Sequence, residues 1–465
     1  VRDDGAPCRV RECHAGTCRA GVCVDAPVLD GTVCRDAANC QGPATCREGV
    51  CVPPPERPLP GSLVQGGYWH AEAGAHRGAG RFTVQSGGYS WSQFDTFSAG
   101  DDAARMGATS YDASTFGQGL TLQERSLFFS PGGDWLTVVD PAQLLAQGTQ
   151  WVGTLLGLSL EGRDVSFKLS EPASLGGDRV LFAAESSKGG TWLLALDVSA
   201  EGVSLAWREQ LPGFARGSPI ADAQGNAYLL LTPPGASRTG PGTLRSVDRS
   251  GALRWQQDAT TAPVAVAGEA LVLEGGEVLA PETGALRFVL REPDGTRAAP
   301  TAGTFIDTAS GRITRAVPGR LERFDLGNGL LRRRIPVPGP AVSEGVLLEG
   351  GGWAQVRTAR FDAHINDWYG YESGRADACV DVVTPDGELL SYDLPVSDDS
   401  FYYCYVKAAS FTDGTVLLEW NAGADFVNLW RFSVPGLVPL RSGWSSVHGN
   451  TAWQRAPAEV EPGMP

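Results

Sequence analysis

A chain of 465 residues, 42% hydrophobic and 20% charged, is long enough for one large core and a small extra domain. Its net charge of −15 disfavours a nucleic-acid partner, because neutralising phosphates takes clustered basic side chains and the one basic run is Arg332-Arg333-Arg334, which reads as a solvated strand edge. No stretch approaches the roughly 18 apolar residues of a transmembrane segment.

Residues 1–52 hold eight of the ten cysteines: Cys8, Cys13, Cys18, Cys23, Cys34, Cys40, Cys46 and Cys51. The segment is an internal duplication. Asp4-Gly5-Ala6-Pro7-Cys8 through Cys23-Val24 matches Asp30-Gly31-Thr32-Val33-Cys34 through Cys51-Val52, and both copies end in Gly-Val-Cys-Val. So short a stretch with almost no apolar core needs covalent stapling, so all eight are assigned to disulfides. Zinc is the alternative, but no Cys-x2-Cys pair occurs and His14 stands alone. The duplication suggests pairing inside each copy, first cysteine to third and second to fourth. Disulfides place the chain in an oxidising compartment, the periplasm, outer surface or medium. Three lysines (Lys168, Lys188, Lys407) against 35 arginines, with no Asn-x-Ser/Thr sequon, suggest a GC-rich bacterial source. Pro53-Pro54-Pro55-Glu56-Arg57-Pro58-Leu59-Pro60 is a semi-rigid linker marking a domain boundary, with a propeller over 61–457 and a tail over 458–465.

From residue 110 onward, short apolar runs alternate with turn residues. The most regular example is 218–258, whose runs Pro219–Ala221, Ala227–Leu231, Thr243–Val247 and Ala252–Trp255 are separated by Gln224-Gly225-Asn226 and Arg249-Ser250-Gly251 among other turns. Units open on a small-Pro or Glu-Pro pair at Glu171-Pro172, Ser218-Pro219, Ala262-Pro263, Ala299-Pro300 and Gly339-Pro340. A second recurring feature is an acidic residue before a turn and a bulky residue: Asp197 with Trp207, Asp248 with Trp255, Glu282-Thr283-Gly284 with Phe288, and Asp325 with Asn328-Gly329-Leu330. Four strands per period of about 40–45 residues is the signature of a propeller blade. The expectation is an all-β, seven-bladed propeller. It becomes eight-bladed if residues 81–97 form more than a closing strand. A first blade is expected over 110–157, with strands near 127–129, 135–139 and 151–155, and the last near Ala408.

The blade pattern, with GGYWHAEAGAHRGAG at 66–80 and GWSSVHGNTAWQRAP at 443–457, resembles the PQQ-like (quinoprotein-type) β-propellers. The resemblance implies that the two chain ends meet in one blade, with Trp69 and Trp444 near the closure. It covers a fold that hosts both cofactor-dependent dehydrogenases and cofactor-free scaffolds. The residues 1–52 resemble the cysteine-rich modules at the front of bacterial surface proteins. The vicinal cysteine pair of quinone-dependent enzymes is absent, no Gly-x-Ser-x-Gly occurs, and no carboxylate matches a catalytic or calcium motif, so no catalytic residue and no cofactor are assigned. His70 and His76 read as surface or interface histidines.

The unit opening at Pro340 is overlong, with its surplus around FDAHINDWYGYESGRADA at 361–378. Trp368, Tyr369 and Tyr371, with Asp362, Asn366 and Asp367, joined by Phe401, Tyr402 and Tyr403, form the candidate binding site for a protein partner or a sugar. Asp362 and Asp367 offer oxygen ligands for calcium. A loop folded over its own small aromatic core is the bland alternative. Cys379 and Cys404 flank this unit and are expected to pair. The functional expectation is a non-catalytic bacterial surface scaffold whose cysteine-rich arm docks on a neighbouring subunit or partner, with a carbohydrate-binding or vestigial quinoprotein-like propeller as the other class.

Overall fold

The computed structural model describes the backbone of residues 7–8, 13–20, 22–27, 32–35, 40, 44–52, 62–70, 75–78, 81–88, 91–98, 105–107, 119–121, 126–129, 135–140, 145–158, 165–199, 201–237, 239–337, 345–366, 371–394, 404–412, 414–422 and 426–440. These residues form an almost wholly β structure: eight successive antiparallel sheets arranged as propeller blades, preceded by two small three-stranded sheets.

The regular unit shows how sequence makes a blade. Blade 4 consists of Phe214–Ala221, Ala227–Thr232, Gly242–Val247 and Leu253–Ala259, in that spatial order. Its second and third strands are buried along nearly their whole length, which is why they read as continuous apolar runs rather than alternating ones. The turn at 222–226 is locked by Asp222. Its Oδ1 accepts the backbone N–H of Gln224 (3.0 Å) and Asn226 (2.8 Å), and its Oδ2 accepts the buried Tyr228 hydroxyl at 2.6 Å. Gly225, at φ 78°, completes the turn. Burial and the Asp222 carboxylate push the Tyr228 hydroxyl well above the usual phenol range.

Blade 3 is built from Phe167–Leu169 with Ala173–Ser174, Arg179–Ser186, Thr191–Ser199 and Gly202–Leu211. Blade 5 is Pro263–Ala267, Ala270–Leu273, Glu277–Leu279 and Leu286–Val289, and blade 6 is Thr304–Asp307, Arg312–Val317, Arg320–Asp325 and Leu331–Pro336. Blade 7 comprises Val346–Leu347, Trp353–Asn366, Tyr371–Val383 and Leu389–Asp393. Blade 2 runs through Gly119–Thr121, Ser126–Phe129, Trp135–Asp140 and Leu145–Trp151. The strand expected over 151–155 instead ends at Trp151 and gives way to the single helical turn Val152–Leu155. There Gly153 lies against the Trp151 ring, with no room for a Cβ.

The condition for an eighth blade is met. Arg81–Gly88 and Trp91–Ser98 pair with each other and sit between Ala75–Gly78 and Arg105–Gly107 as a complete blade 1. Blade 8 holds Cys404–Thr412, Thr415–Ala422 and Phe426–Ser433. Its fourth strand comes from the other end of the domain: Ser62–His70 pairs with Phe426–Ser433, opposing Trp69 to Val427. This closes the ring non-covalently, as the resemblance implied. Trp444 lies outside the described residues.

Adjacent blades are joined by apolar clusters. One spans blades 4 to 6 and others the interfaces of blades 2–3, 3–4, 6–7 and 7–8. A second device repeats through blades 3 to 6: a residue of each of their outermost strands lies over the glycine in the last turn of the next blade. Trp207 covers Gly251, Trp255 covers Gly284, Phe288 covers Gly329, and Arg333 covers Gly387. Trp207 Nε1 donates to the Arg249 carbonyl (2.9 Å) and Trp255 Nε1 to that of Pro281 (2.8 Å). Each glycine is required twice, by positive φ (72° to 89°) and because a Cβ would fall within 2.5–2.8 Å of the covering side chain. Gly284→Ala should therefore cost about 2–4 kcal/mol, summing left-handed strain and overpacking. Urea unfolding of the variant checks this, and an unchanged midpoint would remove the device from the account.

The module in front of the ring has two sheets of matching build. Pro7–Cys8, His14–Arg19 and Val22–Pro27 form the first, and Val33–Arg35, Ala44–Arg47 and Val50–Val52 the second. The turn residues Ala20 (φ 50°) and Glu48 (φ 51°) occupy equivalent positions, so the two copies fold alike at this point. The disulfides depart from the expected pairing. Cys34 bonds Cys51, first to fourth. Cys13 bonds Cys46 of the other copy, and Cys40 bonds Cys379 in blade 7. Cys23 is also disulfide-bonded, while Cys18 is a buried free thiol. The second cysteine of each copy stands ahead of its hairpin and reaches forward, out of its own copy.

Candidate functional site

The module meets the ring on one face of blade 7, and the strand alternation explains how. Along Trp353–Asn366 and Tyr371–Val383, Ala354, Val356, Ala378 and Val380 point one way. They join Phe411, Val416 and Phe432 of blade 8 in a common core. The alternate residues face the other side. At one end Trp353, Val383 and Leu389 pack against Phe305, Leu321 and Ile335 of blade 6. Further along, that same face turns polar.

There Gln355, Asp381 and Ser391 lie side by side on three neighbouring strands. Asp381, fully buried, accepts hydrogen bonds from Arg357 Nε (2.6 Å), Gln355 Nε2 (2.9 Å) and Ser391 Oγ (2.7 Å). Arg357 Nη2 donates to the carbonyl of Cys40 at 3.0 Å, the Cys40 N–H donates to Asp393 Oδ1 at 3.3 Å, and Cys40 itself is fully buried. The Cys40–Cys379 bond thus sits on a hydrogen-bonded polar platform that fixes the module's carbonyl and N–H as well as its sulfur. A buried pair whose carboxylate accepts three hydrogen bonds is the arrangement in which much of the desolvation is offset.

This geometry corrects two expectations. Cys379 does not pair with Cys404, because Cys379 shares the face of Arg357 and Asp393 under the module, whereas blade 8, which bears Cys404, covers the opposite face. The cysteine-rich arm docks on its own propeller.

Beyond Cys379 the two central strands continue to pair with each other as a two-stranded ribbon. Among the described residues the third-to-fourth strand pairing runs to Cys379–Asp393, and the central pair runs on to Asn366 opposite Tyr371. Eight residues per strand span about 27 Å beyond Cys379. The overlong unit is therefore a β-ribbon rooted beside the module. Asp362 and Asn366 lie on its outgoing strand and Tyr371 opens the returning one, with Asp362 opposite Arg375. Asp367, Trp368, Tyr369, Phe401, Tyr402 and Tyr403 lie outside the described residues.

A second place with ligand-sized dimensions is a cavity of about 530 Å³ where the inner strands of blades 3 to 6 converge, with Lys168, Glu171, Glu185, Thr191, Ser218 and Glu274 among its lining. Sequence reasoning did not select these residues, although the signal was present. The cavity rim holds Glu171, Ser218, Ala262 and Pro263, members of the pairs that open each unit. Proline cannot donate to a ladder, so each inner strand breaks there. Strand pairing shifts register between Arg216 and Ile220 and between Pro263 and Ala265, and the first strand of blade 3 is split around Pro172. The Glu171 N–H then finds Ser218 Oγ of the next blade at 3.0 Å instead of a strand partner.

In the module, the Sγ atoms of Cys13, Cys34 and Cys51 come within 4.8 Å of one another. They belong to two disulfides packed together, which commits their sulfurs and leaves no thiolate for a metal. Among the described residues no helix is long and apolar enough to cross a membrane.

No family model and no curated protein matches this sequence. Among solved structures, the chain is similar to the WD40 domain of SCAP from fission yeast, at 11% identity and a TM-score of 0.46, over 80% of this chain and 98% of that one.

Proposed function

We propose that this protein is a non-catalytic scaffold at the surface of a bacterium, with a PQQ-like propeller as its rigid body. The β-ribbon, with Tyr371 opening its returning strand and Trp368 and Tyr369 in the sequence between its two strands, is the element that contacts a partner protein. One observation carries the reading: the Cys40–Cys379 bond with the Arg357–Asp381 platform beneath it. A disulfide joining positions 339 residues apart suits an oxidising compartment, and it fixes the module at the root of the β-ribbon. Aromatic side chains on such a projection suit burial against another protein, since large rigid groups lose little entropy on contact.

A photo-crosslinking amino acid at position 368 of the full chain, displayed in its source cell, should capture a surface protein. The triple variant Trp368→Ala, Tyr369→Ala, Tyr371→Ala should weaken that complex at least tenfold. Absence of any protein crosslink would end the reading. The cavity between blades 3 and 6 favours a second one, a small-molecule or sugar-binding propeller of vestigial quinoprotein type. Glycan binding that is lost on Trp368→Ala or on Glu274→Ala, with no protein crosslink, would support it.

A further inference from the structure

The cavity between blades 3 and 6 is open because the residues facing it are small. Ala215, Gly217, Ala262 and Ala302 stand at the starts of the inner strands of blades 4, 5 and 6, and none can fill a space of about 530 Å³. Its wall on blade 3 is one cross-strand row. Lys168 lies opposite Glu185 and Glu185 opposite Thr191, so the three side chains share the face that turns Leu181, Leu193 and Ala195 toward blade 4. Lys168, Glu185 and Thr191 all line the cavity. Thr191 is fully buried, and its Oγ1, able both to donate and to accept, has no hydrogen-bond partner among the described residues.

On the blade 5 side Glu274 is fixed by its main chain. Its N–H donates to the Ala262 carbonyl (2.9 Å), and its own carbonyl accepts the Thr301 N–H (3.1 Å) and Nη2 of the fully buried Arg315 (2.8 Å). Its carboxylate makes no hydrogen bond or ion pair among the described residues, so a charge on a preset backbone stands uncommitted beside the cavity. In all, the three carboxylates of Glu171, Glu185 and Glu274 line the space against the one ammonium of Lys168, which is exposed. That balance selects the guest. An anion is repelled. A bare metal ion needs its ligand atoms gathered, and among the described residues the one group of three within 4.8 Å is the module's cysteine sulfurs. A neutral sugar gains from a ring face to stack on, and no aromatic side chain is in the lining. An organic cation meets all three conditions.

We propose that this cavity binds an organic cation, an alkylammonium or guanidinium group whose charge is met by Glu274 and Glu185, with the Thr191 hydroxyl as a further acceptor for its N–H. Two sources carry that chemistry: a free polyamine, and a Lys or Arg side chain of a partner protein. Charge-assisted hydrogen bonds to fixed carboxylates give such a group both affinity and orientation. This ligand belongs to the small-molecule reading of the cavity and is independent of the ribbon. A missing ribbon crosslink leaves it standing, and failure of cation binding leaves the crosslink untouched.

The test is calorimetric titration of the full chain with spermidine and, separately, with a blocked trilysine peptide of the same charge. At least one should bind one-to-one, with an affinity that falls as salt rises. Glu274→Gln should weaken binding at least tenfold. Glu269→Gln, at the other end of the strand Ala270–Leu273, should leave it unchanged, which separates the cavity from the general attraction of an acidic chain. Ala302→Lys adds a tethered ammonium at an exposed lining position and should abolish binding without altering a carboxylate. Thr191→Val should bind more weakly yet melt no lower without ligand, because it deletes a hydroxyl that the fold leaves unpaired. Binding of spermidine alone identifies a free cation, and binding of the peptide alone a basic side chain. No one-to-one binding by either probe, equal weakening in the Glu274 and Glu269 variants, or wild-type affinity in Ala302→Lys would overturn the proposal.

Discussion

Replacing Cys40 and Cys379 together by serine should release the cysteine-rich module from blade 7 while the ring stays folded. The ring does not need the bond. Its closure is the pairing of Ser62–His70 with Phe426–Ser433, and among the described residues the interfaces from blade 2 to blade 8 are filled by apolar clusters that contain no module residue. The module does need it, because Cys40 is where the module's backbone N–H and carbonyl are hydrogen-bonded to blade 7. Two loop lengths matter. For unfolding of the whole chain the bond closes 339 residues, and the chain-entropy argument assigns it about 6 kcal/mol. For local release the ring is already closed at Ser62, so the constrained loop is roughly twenty residues and the contribution falls to about 3 kcal/mol. The expected signature is therefore selective: cleavage by trypsin within residues 1–60 should accelerate by about two orders of magnitude, while the ring's thermal transition shifts little. Equal protection of the module in the double variant would show that non-covalent contacts hold it.

The blades were legible because their determinants are local. Asp222, Gly225 and Asn226 write a turn within five residues, and the spacing of Trp207, Trp255 and Phe288 repeats because each must reach the next blade's last glycine. The additional blade, residues 75–107, was harder to read because it follows directly on Ser62–His70, and telling a complete blade from a closing strand there depends on which ends of the chain meet. Disulfide pairing was not legible at all. Spacing in the duplicated copies is symmetrical, so nothing local distinguishes pairing inside a copy from pairing across copies. The choice is made by where Cys40 and Cys379 lie in three dimensions. The overlong unit was correctly located as an excursion, but its form, two strands continuing as a ribbon, rests on the long cross-strand register from Trp353 opposite Val383 to Asn366 opposite Tyr371. The platform under Cys40 was hidden for a related reason. Trp353-Ala354-Gln355-Val356-Arg357 alternates as a half-solvated strand does, and only the module converts its polar face into an interior.

That conversion makes Asp381→Ala the most damaging single substitution predicted for the module's attachment. The wild-type carboxylate has three donors and no exposure, and its removal leaves the Arg357 guanidinium, only 4% exposed, without its counter-charge in a site that water does not reach. Breaking a buried pair by deleting one partner costs about 3–5 kcal/mol, because the remaining charge keeps its desolvation penalty. Gln355 and Ser391 lose an acceptor as well. Arg357 also holds the Cys40 carbonyl, so the loss reaches the module through a bond that the substitution does not touch. Joint replacement, Asp381→Leu with Arg357→Met, removes both charges and should recover most of the stability of blade 7, since an apolar pair of similar volume satisfies the same space. It should not recover the module's docking, for the Cys40 carbonyl then has no donor. Urea unfolding followed at the ring, together with proteolysis of residues 1–60, separates the two effects. If the double variant restored docking as well, Arg357 would be a component of blade 7 alone and the platform would have no part in holding the module.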